Sequence, residues 1–93
     1  MENILATFYL SNAFPNPFNP STQIKFSILG DEFVKLKVYD ILGKEIAELA
    51  SEDKATGTYY TINFDASNLS SCVYFYSISA GKFKQINKMI LLR

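Results

Sequence analysis

From Gln23 to Ile28 the chain alternates strictly, with Ile24, Phe26 and Ile28 on one face and Gln23, Lys25 and Ser27 on the other. The same two-residue period returns in "VKLKVYD", where Val34, Leu36 and Val38 oppose Lys35, Lys37 and Tyr39, and in "YTINF", which aligns Tyr60, Ile62 and Phe64. Side chains of a strand point alternately to its two faces, so each run predicts a strand with one face buried. "VYFYSIS" is apolar on both faces and predicts a strand covered on two sides, while "FKQINKMILL" predicts a closing strand. "EIAELASEDK" reads as a strand over residues 45–49 followed by a polar loop. Turn signals at "LGDE", "DILGKE", "SEDKATG", "DASNLSS" and "SAGK" separate the runs. Their spacing of roughly 8–12 residues predicts an all-β fold, an immunoglobulin-like antiparallel β-sandwich of about seven strands. The sandwich is expected over residues 9–93, with residues 1–8 a linker or N-terminal tail.

Three local features refine this picture. All three prolines, Pro15, Pro17 and Pro20, fall within "NAFPNPFNPST". Proline lacks an N–H and pushes its predecessor towards extended conformations, so the segment predicts a stiff, polyproline-like ribbon that is neither helix nor central strand. Phe14 and Phe18 are expected to fill the end of the sandwich. "DILG" suits a type I turn, with the Asp40 side chain accepting a backbone N–H and Gly43 taking positive φ. Tyr74, near the start of the "VYFY" strand, suits a tyrosine corner, its ring in the core and its hydroxyl bonded to the backbone. Ile41 and Leu42 sit at the tip of the expected hairpin, where they either fold back on the sandwich, the reading we prefer, or form a contact patch.

Composition narrows the function. Hydrophobic residues make up 48% of the 93 and charged residues 19%, a balance suited to one globular domain. Nine basic and nine acidic side chains cancel, leaving no net field to favour nucleic acid or an anionic membrane. With no histidine and a single cysteine, Cys72, the Ser-His-Asp, Cys-His and histidine-rich zinc arrangements cannot be assembled. No catalytic, metal or cofactor residues are therefore assigned. The acidic stretch 51–53 offers too few oxygen ligands for calcium and reads as a solvated loop. No run reaches the roughly 18 apolar residues that span a membrane.

Four blocks carry a family resemblance: "YLSNAFPNPFNPSTQIKFSI", "LKVYDILGKEIAEL", "GTYYTINFDASNLSSCVYFYSI" and "GKFKQINKMILL". In this order and spacing the chain resembles the type A C-terminal sorting domains of the type IX secretion system of Bacteroidetes. The resemblance implies a label at the end of a larger cargo protein that reaches the periplasm by its own signal peptide. It implies as partners an N-terminal cargo domain, the outer-membrane translocon, and a sortase-like peptidase that cuts before the domain and attaches the cargo at the cell surface. No nucleic acid and no membrane insertion are implied, and no cofactor; a weak homodimer is left open. One departure stands out: members usually have glycine at Cys72, in the block here written "SSCVYFY". Cysteine suits that place if the glycine is needed only because space is tight, and would be strained if positive φ is required. "NLS" at Asn68 matches a glycosylation pattern but carries little weight for a bacterial chain.

The resemblance also singles out recognition candidates. Lys88, Met89, Ile90, Leu91 and Leu92 form the terminal block, which in the family is part of the export signal; the plainer reading is an ordinary core strand. Pro15, Asn16, Pro17 and Phe18 are either a surface presented to the translocon or a ribbon packed across the sandwich. The rival function is an accessory module of a secreted enzyme, binding carbohydrate or protein through Tyr9, Tyr39, Tyr59 and Tyr76. A spacer that assembles with copies of itself is a further alternative.

Overall fold

The computed structural model describes residues 8–28, 30–55 and 59–92. But for Phe8, the expected linker over residues 1–8 lies outside them. Seven strands follow in order: β1 (Tyr9–Leu10), β2 (Ser21–Ser27), β3 (Glu32–Tyr39), β4 (Glu45–Lys54), β5 (Tyr60–Asp65), β6 (Cys72–Ala80) and β7 (Phe83–Leu91). They form a three-stranded sheet, β1-β2-β5, and a four-stranded sheet, β4-β3-β6-β7, every strand pair antiparallel. The chain is an all-β sandwich.

The core is built by the alternation. Ile24, Phe26 and Ile28 face Val34, Leu36 and Val38 with no exposed surface, and Tyr76, Ile78, Met89 and Leu91 complete the inner face of the larger sheet. Burial of each large apolar side chain is worth about 1.5–3 kcal/mol, so a small domain depends on nearly all of them. Ser27 breaks the period: it lies cross-strand from Tyr9 and is buried rather than solvent-facing.

β4 differs from expectation. It runs on to Lys54 instead of ending in a loop after residue 49, because β3 offers ladder partners as far as Glu32↔Lys54. As an edge strand it keeps one flank in water, where Ser51, Glu52 and Asp53 are tolerated. Register shifts between Leu36 and Lys37 and between Val38 and Tyr39 insert extra residues on the β4 side. These bulges break the two-residue period, so Ile46, Ala47 and Leu49 are all part-buried against the core. Lys54 closes the strand, 2.8 Å from Glu52 and 4.7 Å above the Tyr60 ring.

The proline segment is not an extended polyproline ribbon. It bends over residues 15–17, between two isolated bridges: Phe14 to Gln23 of β2, antiparallel, and Phe18 to Leu91 of β7, parallel. The Phe14–Pro15, Asn16–Pro17 and Asn19–Pro20 peptide bonds are cis. The segment thus leaves one sheet and joins the other. Missing proline N–H groups suit such a crossing, where no continuous ladder exists to need them.

The described elements pack on one face of β6 only, although Ser77 on the other face is buried among its neighbours. Tyr74, Tyr76 and Ile78 fill the core, while Val73 and Phe75 are half-buried on an outer face that no described element overlies. The apolar run therefore signals something besides a second packing layer.

Candidate recognition site

The two candidate segments meet at the β7 edge. The Ile90 N–H donates to Asn16 Oδ1 at 2.9 Å, the Phe18 N–H donates to the Ile90 carbonyl at 2.9 Å, and the Leu92 N–H donates to the Phe18 carbonyl at 3.0 Å. Asn16 supplies from its side chain an acceptor for a strand-edge N–H that would otherwise face solvent. Beneath this joint the Phe18 ring is 2% exposed and lies 6.2 Å from the Phe64 ring, tilted by 57°. Thr22 fixes the preceding turn by donating its hydroxyl to the Pro15 carbonyl at 2.8 Å.

Side chains within each segment divide by role. Met89 and Leu91 are wholly buried, Ile90 is half-buried, and Lys88 and Leu92 are exposed. Pro15, Asn16 and Pro17 are exposed. Phe14, expected beside Phe18 in the sandwich end, is instead 78% exposed. Alternation along the chain explains this: the backbone of Phe14 pairs with Gln23, whose side chain also faces outward. The hairpin tip also departs from the preferred expectation. Ile41 and Leu42 are 60% and 90% exposed and do not fold back.

At that hairpin the Asp40 carboxylate accepts from the N–H groups of Leu42 and Lys44, both at 2.9 Å. The Gly43 N–H donates to the Asp40 carbonyl at 3.0 Å, and Gly43 has φ 87°. The Tyr74 hydroxyl donates to the Ser70 carbonyl at 2.7 Å, and burial pushes its ionisation above the ordinary tyrosine value. Cys72 is half-buried, and no non-glycine residue among those described has positive φ.

A polar cluster that sequence reasoning missed holds the incoming chain. The Tyr76 hydroxyl donates to the Ser11 carbonyl at 2.6 Å, and Asn87 Nδ2 donates to the same carbonyl at 3.1 Å. Burial raises the ionisation of Tyr76 too. Tyr76 and Asn87 are cross-strand partners. The signal available was the position of Asn87, two and four residues before Met89 and Leu91 and so on the same strand face as those apolar residues.

The tyrosines proposed for sugar binding form no planar row. Tyr9 and Tyr59 meet edge-on at 81°, Tyr39 lies on the other sheet, and Tyr76 is buried. Among the described residues no group of three His, Cys, Asp or Glu could hold a metal, and no helix is long and apolar enough to cross a membrane.

Comparison with known proteins agrees with this architecture. A crystal structure of dimeric latent PorU from Porphyromonas gingivalis is similar to the chain at TM-score 0.71 and 18% identity, over 94% of this chain and 10% of that one. The chain thus spans a tenth of the PorU chain. CopC from Methylosinus trichosporium OB3b is similar at TM-score 0.52 and 17% identity, over 91% of each chain. At these identities both likenesses speak for the fold alone. No curated protein matches the sequence. The model of the secretion system C-terminal sorting domain family matches residues 12–92, and with that span the chain belongs to the type IX secretion C-terminal sorting domains.

Proposed function

We propose that this domain is a non-catalytic sorting signal that directs an N-terminal cargo through the type IX translocon for release or attachment at the cell surface. The observation that carries the reading is the joint between Asn16, Phe18, Ile90 and Leu92. The first and last of the four blocks by which the chain resembles the family are far apart in sequence yet form one surface. A translocon reading both at once reads the folded state, because neither block holds this geometry without the other. Pro15, Asn16, Pro17, Lys88 and Leu92 present the exposed part of that surface, and Phe18, Met89 and Leu91 anchor it. A sortase-like peptidase then acts on the N-terminal side of the domain.

The test is a secretion assay. Residues 9–93 are fused behind a signal peptide and a fluorescent reporter, in a bacterium with and without a working type IX system. Export is expected only with the system. Deleting residues 88–93 would remove Met89 and Leu91 from the core, so the informative variants are Lys88→Ser and Leu92→Ser, on exposed positions. These are expected to fold and to lower export. A folded fusion stranded in the periplasm of both strains would overturn the proposal.

A further inference from the structure

We propose that the β7 edge from Lys84 to Lys88 docks an extended segment of a partner protein in which two acidic residues flank an apolar one at alternate positions. On one side β7 pairs with β6 along its whole length, from Ala80↔Phe83 to Cys72↔Leu91. In an antiparallel ladder the N–H and C=O of alternate residues point to the same side. Ile90 sends both of its groups away from β6, to Asn16 and Phe18. Lys84, Ile86 and Lys88 share its phase, so their backbone groups point the same way. Among the described residues no strand, bridge or loop pairs with them.

Three further observations make this edge a site. First, its far end already takes extended chain, since Phe18 is bridged to Leu91. A partner strand would continue that addition along the free stretch. Second, Ile86 is 61% exposed between the exposed Lys84 and Lys88. Third, a groove of about 450 Å³ lies beside them, lined by Tyr39, Ile41, Phe75, Ile86 and Lys84 among others. It would receive the partner's apolar side chain or its neighbours.

Charge selects the occupant. Two copies pairing β7 to β7 around Ile86 would set lysine opposite lysine, an arrangement that destabilises a cross-strand pair. An incoming acidic-x-apolar-x-acidic segment instead sets a carboxylate opposite each ammonium and an apolar side chain opposite Ile86. Edge lysines otherwise discourage strand addition, so the same pair rejects segments without acidic residues. The inference does not rest on export and concerns the domain in any context.

The test is titration of the isotope-labelled 93-residue chain with a synthetic threonine peptide carrying Glu, Val and Glu at alternate central positions, beside its Lys, Val, Lys counterpart. We expect the Glu peptide to slow amide exchange at Lys84, Ile86 and Lys88, to leave Ile90 and Leu92 unchanged, and to bind more weakly as salt rises. The double variant Lys84→Glu with Lys88→Glu should bind the Glu peptide roughly tenfold more weakly and gain the Lys peptide. Ile86→Pro removes an outward N–H while sparing the β6 ladder, and should abolish docking in a chain whose spectrum shows it folded. Equal binding of both peptides, perturbation confined to other strands, self-association through β7, or no change at millimolar peptide would each overturn the proposal.

Discussion

Asn16 and Ile90, 74 residues apart, are joined by a 2.9 Å hydrogen bond in which a strand-edge N–H meets a side-chain carbonyl. The bond ties a segment that proline bars from regular pairing to the last strand of the sandwich. Asn16→Ala removes the only side-chain acceptor at this joint among the described residues. It is expected to cost about 1 kcal/mol in urea denaturation and to speed amide exchange at Ile90 more than at Leu92. Unchanged exchange at Ile90 would mean that the bond does not hold the edge.

Phe14 and Phe18 look alike in sequence and should behave oppositely. Phe18→Ala empties a buried position beside Phe64 and is expected to destabilise by about 3–5 kcal/mol. Phe14→Ala changes a ring that stands in solvent and should stay within about 0.5 kcal/mol of the parent. Chemical denaturation of both variants checks the contrast; similar losses would contradict the placement of Phe14.

Tyr74 and Tyr76 make the fold sensitive to alkali. Burial is the first cause of the rise in both, and it favours the neutral phenol in the folded state above the ordinary value of 10.0. A raised folded-state value adds stability that is present in full below the unfolded value and is lost as pH rises through the folded one. Melting temperature should therefore fall progressively above about pH 10, the unperturbed value. Tyr74→Phe should lower stability by about 1 kcal/mol at neutral pH through the lost Ser70 bond and should flatten the alkaline decline. A melting curve independent of pH in that window would refute the assignment.

Two glycines separate conformational need from mere presence. Gly43 has φ 87°, so Gly43→Ala is expected to destabilise by about 1 kcal/mol although its Cβ would meet no atom. Gly30 has neither positive φ nor a neighbour in reach, and Gly30→Ala should be neutral or stabilise by about 0.4–1 kcal/mol. Thermal melts of the pair distinguish the two cases.

The strands with strict alternation were legible because each residue's face depends only on its neighbours. Ile24, Phe26 and Ile28, and Val34, Leu36 and Val38, had no other arrangement that buries them together. Absence of histidine likewise disposes of the common triads without any coordinates. β4 was less legible, since its bulges arise from pairing with β3 and leave no local mark in "EIAELA". Nor could residues 41 and 42 be placed, for their exposure follows from no described element lying over the hairpin tip.

What the chain alone determined is therefore the presence of the six longer strands, the sandwich and the range of chemistry open to it, all of which follow from local periodicity and residue type. Only the tertiary structure decided which phenylalanine enters the core, that Ser11 meets Tyr76 and Asn87, and that Asn16 reaches Ile90. Those contacts span up to 76 residues and exist because closing the two sheets brings the first segment against the last strand. No window of sequence contains both partners, so the surface they form belongs to the fold.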